Sequence, residues 1–291
     1  MIDAHHHIWR QADLTWLQGP EQPRIFGSYA SIMRDYPITE YLADIAGTGI
    51  EKSVYVQANW PPDRFEDEVA WVQSVADAHG WPHAIVGYAD FTAGDVSDQL
   101  KRLAAYPLMR GVRQQLHWHE NPLYRFASRA DLPADPAVQR NIAKLADHGW
   151  SFDLQVFSGQ MKDAAHLARS CPEVTFILQH AGMLEDQIPD GWVRWREGMK
   201  RLADCANVVT KLSAFGTFIH RNDPAFIAEM LRETLAIFGA DRCMFGSNFP
   251  IEKIWTSYAE LFRAFQTAAA DLNESQQNAI FNETASRVYR L

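Results

Sequence analysis

Cysteine is scarce in this chain of 291 residues. Cys171, Cys205 and Cys243 are the only three, odd in number and far apart. No C-x-x-C spacing occurs, so a structural zinc knuckle and a redox pair are both excluded. Free thiols in a reducing compartment are expected. Long apolar runs are absent too: nothing approaches the ~20 residues that a membrane span requires. The first residues run directly into polar, histidine-rich sequence without a secretory signal, and the expected location is cytoplasmic. Basic charge is in deficit. The net charge of -9 argues against nucleic acid or an anionic membrane surface as the main partner and leaves small molecules. No Gly-rich phosphate loop follows an early strand, no internal repeat occurs, and no linker divides the chain.

What is present is an ordinary globular composition, 47% apolar and 22% charged, in a strict alternation of elements. Eight short apolar runs read as strands: 1–5, 53–58, 84–90, 111–117, 151–157, 174–180, 208–213 and 243–247. Most are nearly continuous in apolar residues, as strands covered on both faces should be. The segments between them carry helical periodicity. In 66–79, Val69, Val72, Val75 and Ala76 share a face, and 135–147 repeats the pattern with Val138, Ile142 and Leu145. Asp223-Pro224 reads as an N-cap followed by a proline in the first helical turn. Eight β/α units over this length predict an α/β fold, a single (β/α)8 TIM barrel over 1–291. Residues 11–36, rich in proline, glycine and aromatics, would then form an excursion over the catalytic face. Residues 273–291 would form a terminal helix outside the barrel.

The strongest local signal is Ile2-Asp3-Ala4-His5-His6-His7-Ile8-Trp9. Alternate side chains of a strand share a face, so His5 and His7 project together and His6 points away. Two imidazoles ~6 to 7 Å apart on one face can grip a metal or polarise a substrate. Further chemistry-bearing groups follow at later strand ends: Arg113, His119, His180, Lys211, Asn248 and Glu252. A guanidinium always carries its charge and can hold a carboxylate with two hydrogen bonds, which suits Arg113 to clamping an acid. An ion pair inside the barrel, with Glu252 or Asp90, is the alternative. Lys211 sits mid-strand in an apolar run, where it must either find an acid partner or face the barrel mouth. His119 ends a second His-x-His and is a candidate substrate contact. Tyr124, Arg125, His220 and Arg221 fall in loops above the mouth, and Trp9, Trp16, Trp60 and Trp118 follow strand ends as candidate pocket walls.

Taken in order, these motifs resemble the lactonase-type branch of the amidohydrolase superfamily (amidohydrolase-related family 2). That branch holds 2-pyrone-4,6-dicarboxylate lactonase and sugar-acid lactonases such as L-fuconolactonase. Asp-x-His-x-His-x-Trp resembles its first-strand motif, Met109-Arg110-Gly111-Val112-Arg113-Gln114 its fourth, and Leu178-Gln179-His180-Ala181-Gly182 its sixth. Val209-Thr210-Lys211-Leu212-Ser213 resembles the seventh, and Met244-Phe245-Gly246-Ser247-Asn248-Phe249-Pro250 the eighth. The resemblance implies hydrolysis of a small lactone, with His5, His7, His180 and Asn248 as the catalytic set. It implies Arg113, His119, Lys211 and Glu252 as substrate-binding residues. It also implies either one divalent metal, zinc or manganese, held weakly by His5, His7 and His180, or no metal at all, with the histidines bonding substrate directly. The family places an aspartate at the position of Asn248, and an amide cannot accept a proton as that carboxylate does. Another base (Glu252, Asp90, His119 or His220), a metal-activated water, or a site that only binds would each account for the difference. A metal-dependent decarboxylase of the same superfamily is the rival activity. A homo-oligomer is compatible with the sequence, because an exposed aromatic patch and a pocket wall read alike.

Overall fold

The structure, a computed structural model, describes residues 1–291. Its strands are β1 (Ile2–His6), β2 (Lys52–Val56), β3 (Ala84–Gly87), β4 (Met109–Val112), β5 (Ser151–Leu154), β6 (Phe176–Leu178), β7 (Val208–Leu212) and β8 (Cys243–Phe245). They pair in chain order, and each of the seven ladders is parallel. Closure comes just past β8, where Asn248 N donates to the His5 carbonyl and His7 N to that of Phe249, each at 2.7 Å. Asp3 clamps the seam. Its buried carboxylate accepts from Ser247 N at 2.8 Å, Ser247 Oγ at 2.6 Å, and the Tyr41 and Tyr258 hydroxyls at 3.0 Å.

Eight helices follow the strands in turn: α1 (Ile38–Asp44), α2 (Phe65–His79), α3 (Ser97–Leu103), α4 (Pro136–Ala143), α5 (Met161–Ser170), α6 (Pro189–Ala203), α7 (Pro224–Phe238) and α8 (Tyr258–Ala268). This is the expected (β/α)8 barrel. The Asp223 side chain caps α7 by accepting from Ala225 N and Phe226 N, with Pro224 in the first turn. No helix is long and apolar enough to cross a membrane.

The observed strands are shorter than the apolar runs because the chain leaves the sheet at its C-terminal edge while still buried. The residues left over, 113–117 above all, build the head of the barrel rather than its wall. Below them the interior is filled by alternate side chains, among them Ile2, Ala4, Val54, Val56, Val86 and Met244, in one apolar cluster. The tail differs from expectation. It is broken into α9 (Glu274–Asn278), a π-turn and α10 (Thr284–Tyr289), and Ala285 and Tyr289 belong to that interior cluster. The tail therefore packs against the barrel interior rather than lying outside it.

Candidate active site

The C-terminal ends of the strands surround a cavity of about 390 Å³, within the range of small-molecule sites. The excursion after β1 covers it, as expected, through Trp16, Arg24, Ile25 and Phe26, and with Trp9, Trp60 and Phe218 it makes an aromatic collar. Tyr124 and Arg125 also line the wall. Deeper down the lining turns polar: His7, Arg113, Gln115, His117, His180 and Asn248. No aspartate or glutamate lines the cavity. In a chain of net charge -9 this pocket is cationic and basic without an acid.

Strain concentrates here. Eight non-glycine residues have positive φ, and five of them, Asn59, His180, Met183, Ala214 and Asn248, line the cavity. Such conformations cost of order 1–3 kcal/mol each for residues with a Cβ, and asparagine tolerates them best. At φ 56° Asn248 therefore occupies a position that suits its residue type. His180 is turned at φ 56°, ψ 38°, which drops its ring beside Ser213, whose Oγ lies 2.8 Å from Nδ1. Gly182 makes room for Met161 rather than for a ligand, since a Cβ there would lie 2.3 Å from Met161 Cε. Gly246 serves His5 directly: a Cβ on it would sit 2.7 Å from His5 Cβ.

The three histidines do come together. The His5 ring centre is 5.1 Å from that of His7 and 4.8 Å from that of His180. His6 points away and stacks on Tyr41 at 3.9 Å. His5, however, is fully buried behind the other two and is not part of the cavity wall. Burial, reinforced by Arg113, pushes His7 and His117 down to about 3. Burial also holds His180 and His5 well below the usual imidazole range, with Arg113 the next cause for His180 and Lys211 for His5. All four rings are neutral at pH 7.

Arg113 is buried at the cavity floor, and its guanidinium gives one hydrogen bond, from Nη2 to the Gln57 carbonyl at 2.5 Å. Nε is buried without a partner. The alternative for Arg113, an ion pair with Glu252 or Asp90, is absent; Asp90 instead accepts from Thr92 and Gln114. Burial lowers Arg113 to about 10, so it remains a cation at neutral pH.

Several expected contacts lie elsewhere. Lys211 is wholly inside the barrel, paired with Asp153 at 2.8 Å, and does not reach the cavity. Glu252 is buried behind the wall beside the Asn248 side chain and Gly216 N, neither in full hydrogen-bond geometry, and burial raises it to about 8 against their lowering effect. His119 turns outward, where Nδ1 accepts from Asn121 N, and His117 takes the place on the wall. His220 bonds the Ile25 carbonyl, Arg221 pairs with Asp223 at the surface, and Trp118 stacks under Arg125, all away from the lining. Gln57, Gln115 and Gln155, which the sequence reading passed over, line the cavity, and the Oε1 atoms of Gln115 and Gln155 have no partner. The signal was available in part. Gln155 stands two residues past the inward-facing Asp153, and Gln115 and His117 continue the alternation from Arg113, whereas Gln57 breaks it, since Val54 and Val56 are the interior positions of β2.

A divalent cation fits this donor set poorly. No three His, Cys, Asp or Glu side chains converge at ligating distance. The carboxylate that would offset the charge is an amide, and two cations flank the imidazoles, with Lys211 Nζ 3.4 Å from His5 Nδ1.

Eight parallel strands closed around a site at their C-terminal ends define a barrel enzyme, and the chain belongs to the amidohydrolase family, whose model matches residues 2–291. The uncharacterized protein y4mH of Sinorhizobium fredii is 36% identical over all of this chain and 98% of its own length. An L-fucono-1,5-lactonase of Burkholderia multivorans is 27% identical over all of this chain and 96% of its own. The crystal structure of a Burkholderia multivorans amidohydrolase with bound zinc superposes at a TM-score of 0.83, with 26% identity, over all of this chain and 99% of that one.

Proposed function

We propose that this hydrolase opens a small lactone that carries a carboxylate, by direct attack of water. The observation that carries the reading is Arg113: a buried cation facing a cavity that contains no acid. Asp153 and Glu68 lie near enough behind the wall to favour its charge, but no carboxylate bonds the guanidinium, and a desolvated guanidinium without one is costly unless a ligand supplies it. The substrate's carboxylate pairs with Arg113, and its hydroxyls satisfy the unpartnered oxygens of Gln115 and Gln155. The aromatic collar covers the ring. This also favours an anionic relative of the sugar-acid lactones, the substrate class named for the Burkholderia relative.

His180 and the Asn248 amide flank the place where the ester carbonyl gathers negative charge, and each can donate to it. With no acid on the wall, the proton of the attacking water passes to a neutral imidazole. Substrate binding assists, because burial depresses His7 most and Arg113 next, and a carboxylate on Arg113 offsets that second cause. Water oxygen bonds to the acyl carbon and the ring C–O bond breaks. The proton returns to the departing ring oxygen, and the open hydroxy acid leaves.

The test is acid release from a panel of carboxylated five- and six-membered lactones, run on chelator-treated protein and on protein supplied with zinc or manganese. The expected result is hydrolysis that survives chelation. Carbon dioxide release from an aromatic acid, or binding without turnover, would contradict it.

A further inference from the structure

What an imidazole can do depends on which of its nitrogens carries the proton, and two of these rings are set from behind. His7 Nδ1 lies 2.7 Å from the Val56 carbonyl oxygen. A carbonyl only accepts, so Nδ1 holds the proton and Nε2 keeps its lone pair. His5 meets the opposite kind of partner. Its Nδ1 lies 3.4 Å from Lys211 Nζ, and Lys211 is in turn held by Asp153 at 2.8 Å with both side chains fully buried. An ammonium only donates, so His5 Nδ1 is an acceptor and the proton stands on Nε2. That Nε2 is buried and has no other partner.

We propose that Lys211, charged by its pairing with Asp153, is a positioning residue that locks His5 in the tautomer opposite to His7. The neighbouring rings then present one N–H and one lone pair. His7, on the cavity wall, is the proton acceptor that replaces the carboxylate missing at position 248. The same lock explains the poor fit to a metal. Ligation by both rings needs two Nε2 lone pairs, and the Lys211 contact denies the one on His5. Only the base role of His7 rests on the hydrolytic reading; the tautomers stand without it.

Nitrogen NMR of the labelled protein reads the tautomers directly, with His5→Gln and His7→Gln assigning the signals. The expected spectrum shows His5 protonated at Nε2 and His7 at Nδ1. The paired substitution Lys211→Met with Asp153→Leu removes both charges, so neither is stranded even where Lys211→Met alone does not fold. In it His5 is expected to lose its fixed tautomer, and zinc affinity by calorimetry to rise about tenfold, the size of effect that residues behind metal ligands exert, here in the opposite direction because Lys211 blocks the ligating tautomer. His5 protonated at Nδ1 in the wild type overturns the proposal, and so does a double variant with unchanged tautomer and zinc affinity. Loss of all lactone hydrolysis with the predicted tautomers in place would overturn the proposed function and the base role of His7, and leave the tautomer lock standing.

Discussion

Arg113, just past β4, and Lys211, within β7, are both fully buried cations of the barrel interior, yet their surroundings differ. Lys211 is pinned to Asp153 at 2.8 Å and lies 5.4 Å from the Tyr289 ring of the tail packed against the barrel interior. Arg113 faces the cavity with a backbone carbonyl as its partner and an unpaired Nε. The difference separates two uses of buried charge. The floor satisfies its cation internally and spends it on holding the histidines from below. The mouth leaves its cation with Asp153 and Glu68 at a distance and no carboxylate bonded to it, a condition that a folded protein sustains where a ligand completes it.

The comparison breaks first in stability. Lys211→Met strands the Asp153 carboxylate and should cost ~3–5 kcal/mol in urea unfolding. Arg113→Met removes a desolvated charge that no acid bonds directly, with only its longer attraction to Asp153 and Glu68 lost, and should cost less than Lys211→Met. Equal losses in the two variants would erase the distinction. Next comes Asn248→Asp. Aspartate fits the same positive φ, so the fold should survive, but the new carboxylate competes with substrate for Arg113. A fall of about 10- to 100-fold in kcat/KM on an anionic lactone is expected, and a gain would show that the amide is not adapted to its place. The smallest effect is at Glu252. Burial raises its carboxyl from 4.5 to about 8, so the folded chain holds a proton there that the unfolded chain has lost. Its contribution is full below pH 4.5 and falls as pH rises through that window. Glu252→Gln should flatten this slope and raise the melting temperature at pH 8 by a few degrees. An unchanged profile would mean that the side chain is ionised in place.

Much of the barrel was readable from the chain because parallel strands buried on both faces leave continuous apolar runs, and those runs number eight. Their lengths misled. Past Val112 and Leu154 burial continues although the ladder has ended, and hydropathy reports burial rather than pairing. The first-strand histidines were readable from period-two alternation. The same rule extended from Arg113 reaches His117, but His119 fails it because the chain has already turned into a loop. The partner of Lys211 was not readable: Asp153 lies 58 residues away on β5, and only barrel closure brings the two together. Asp3 illustrates the same limit, since its acceptor role depends on Ser247 and Tyr258 at the other end of the chain. Tyr289 could not be placed either, because a terminal amphipathic segment reads alike whether it packs on a helix layer or against the barrel interior.

The central claim is that Arg113 waits for a substrate carboxylate, and a double comparison tests it most directly. The measurement is kcat/KM for wild type and Arg113→Met on a carboxylated lactone and on the same lactone as its carboxamide, in chelator-treated buffer. The account predicts that the wild type prefers the acid by about 100-fold and that the preference collapses in the variant. A preference that survives the loss of Arg113, or a wild type that treats the two substrates alike, would contradict it.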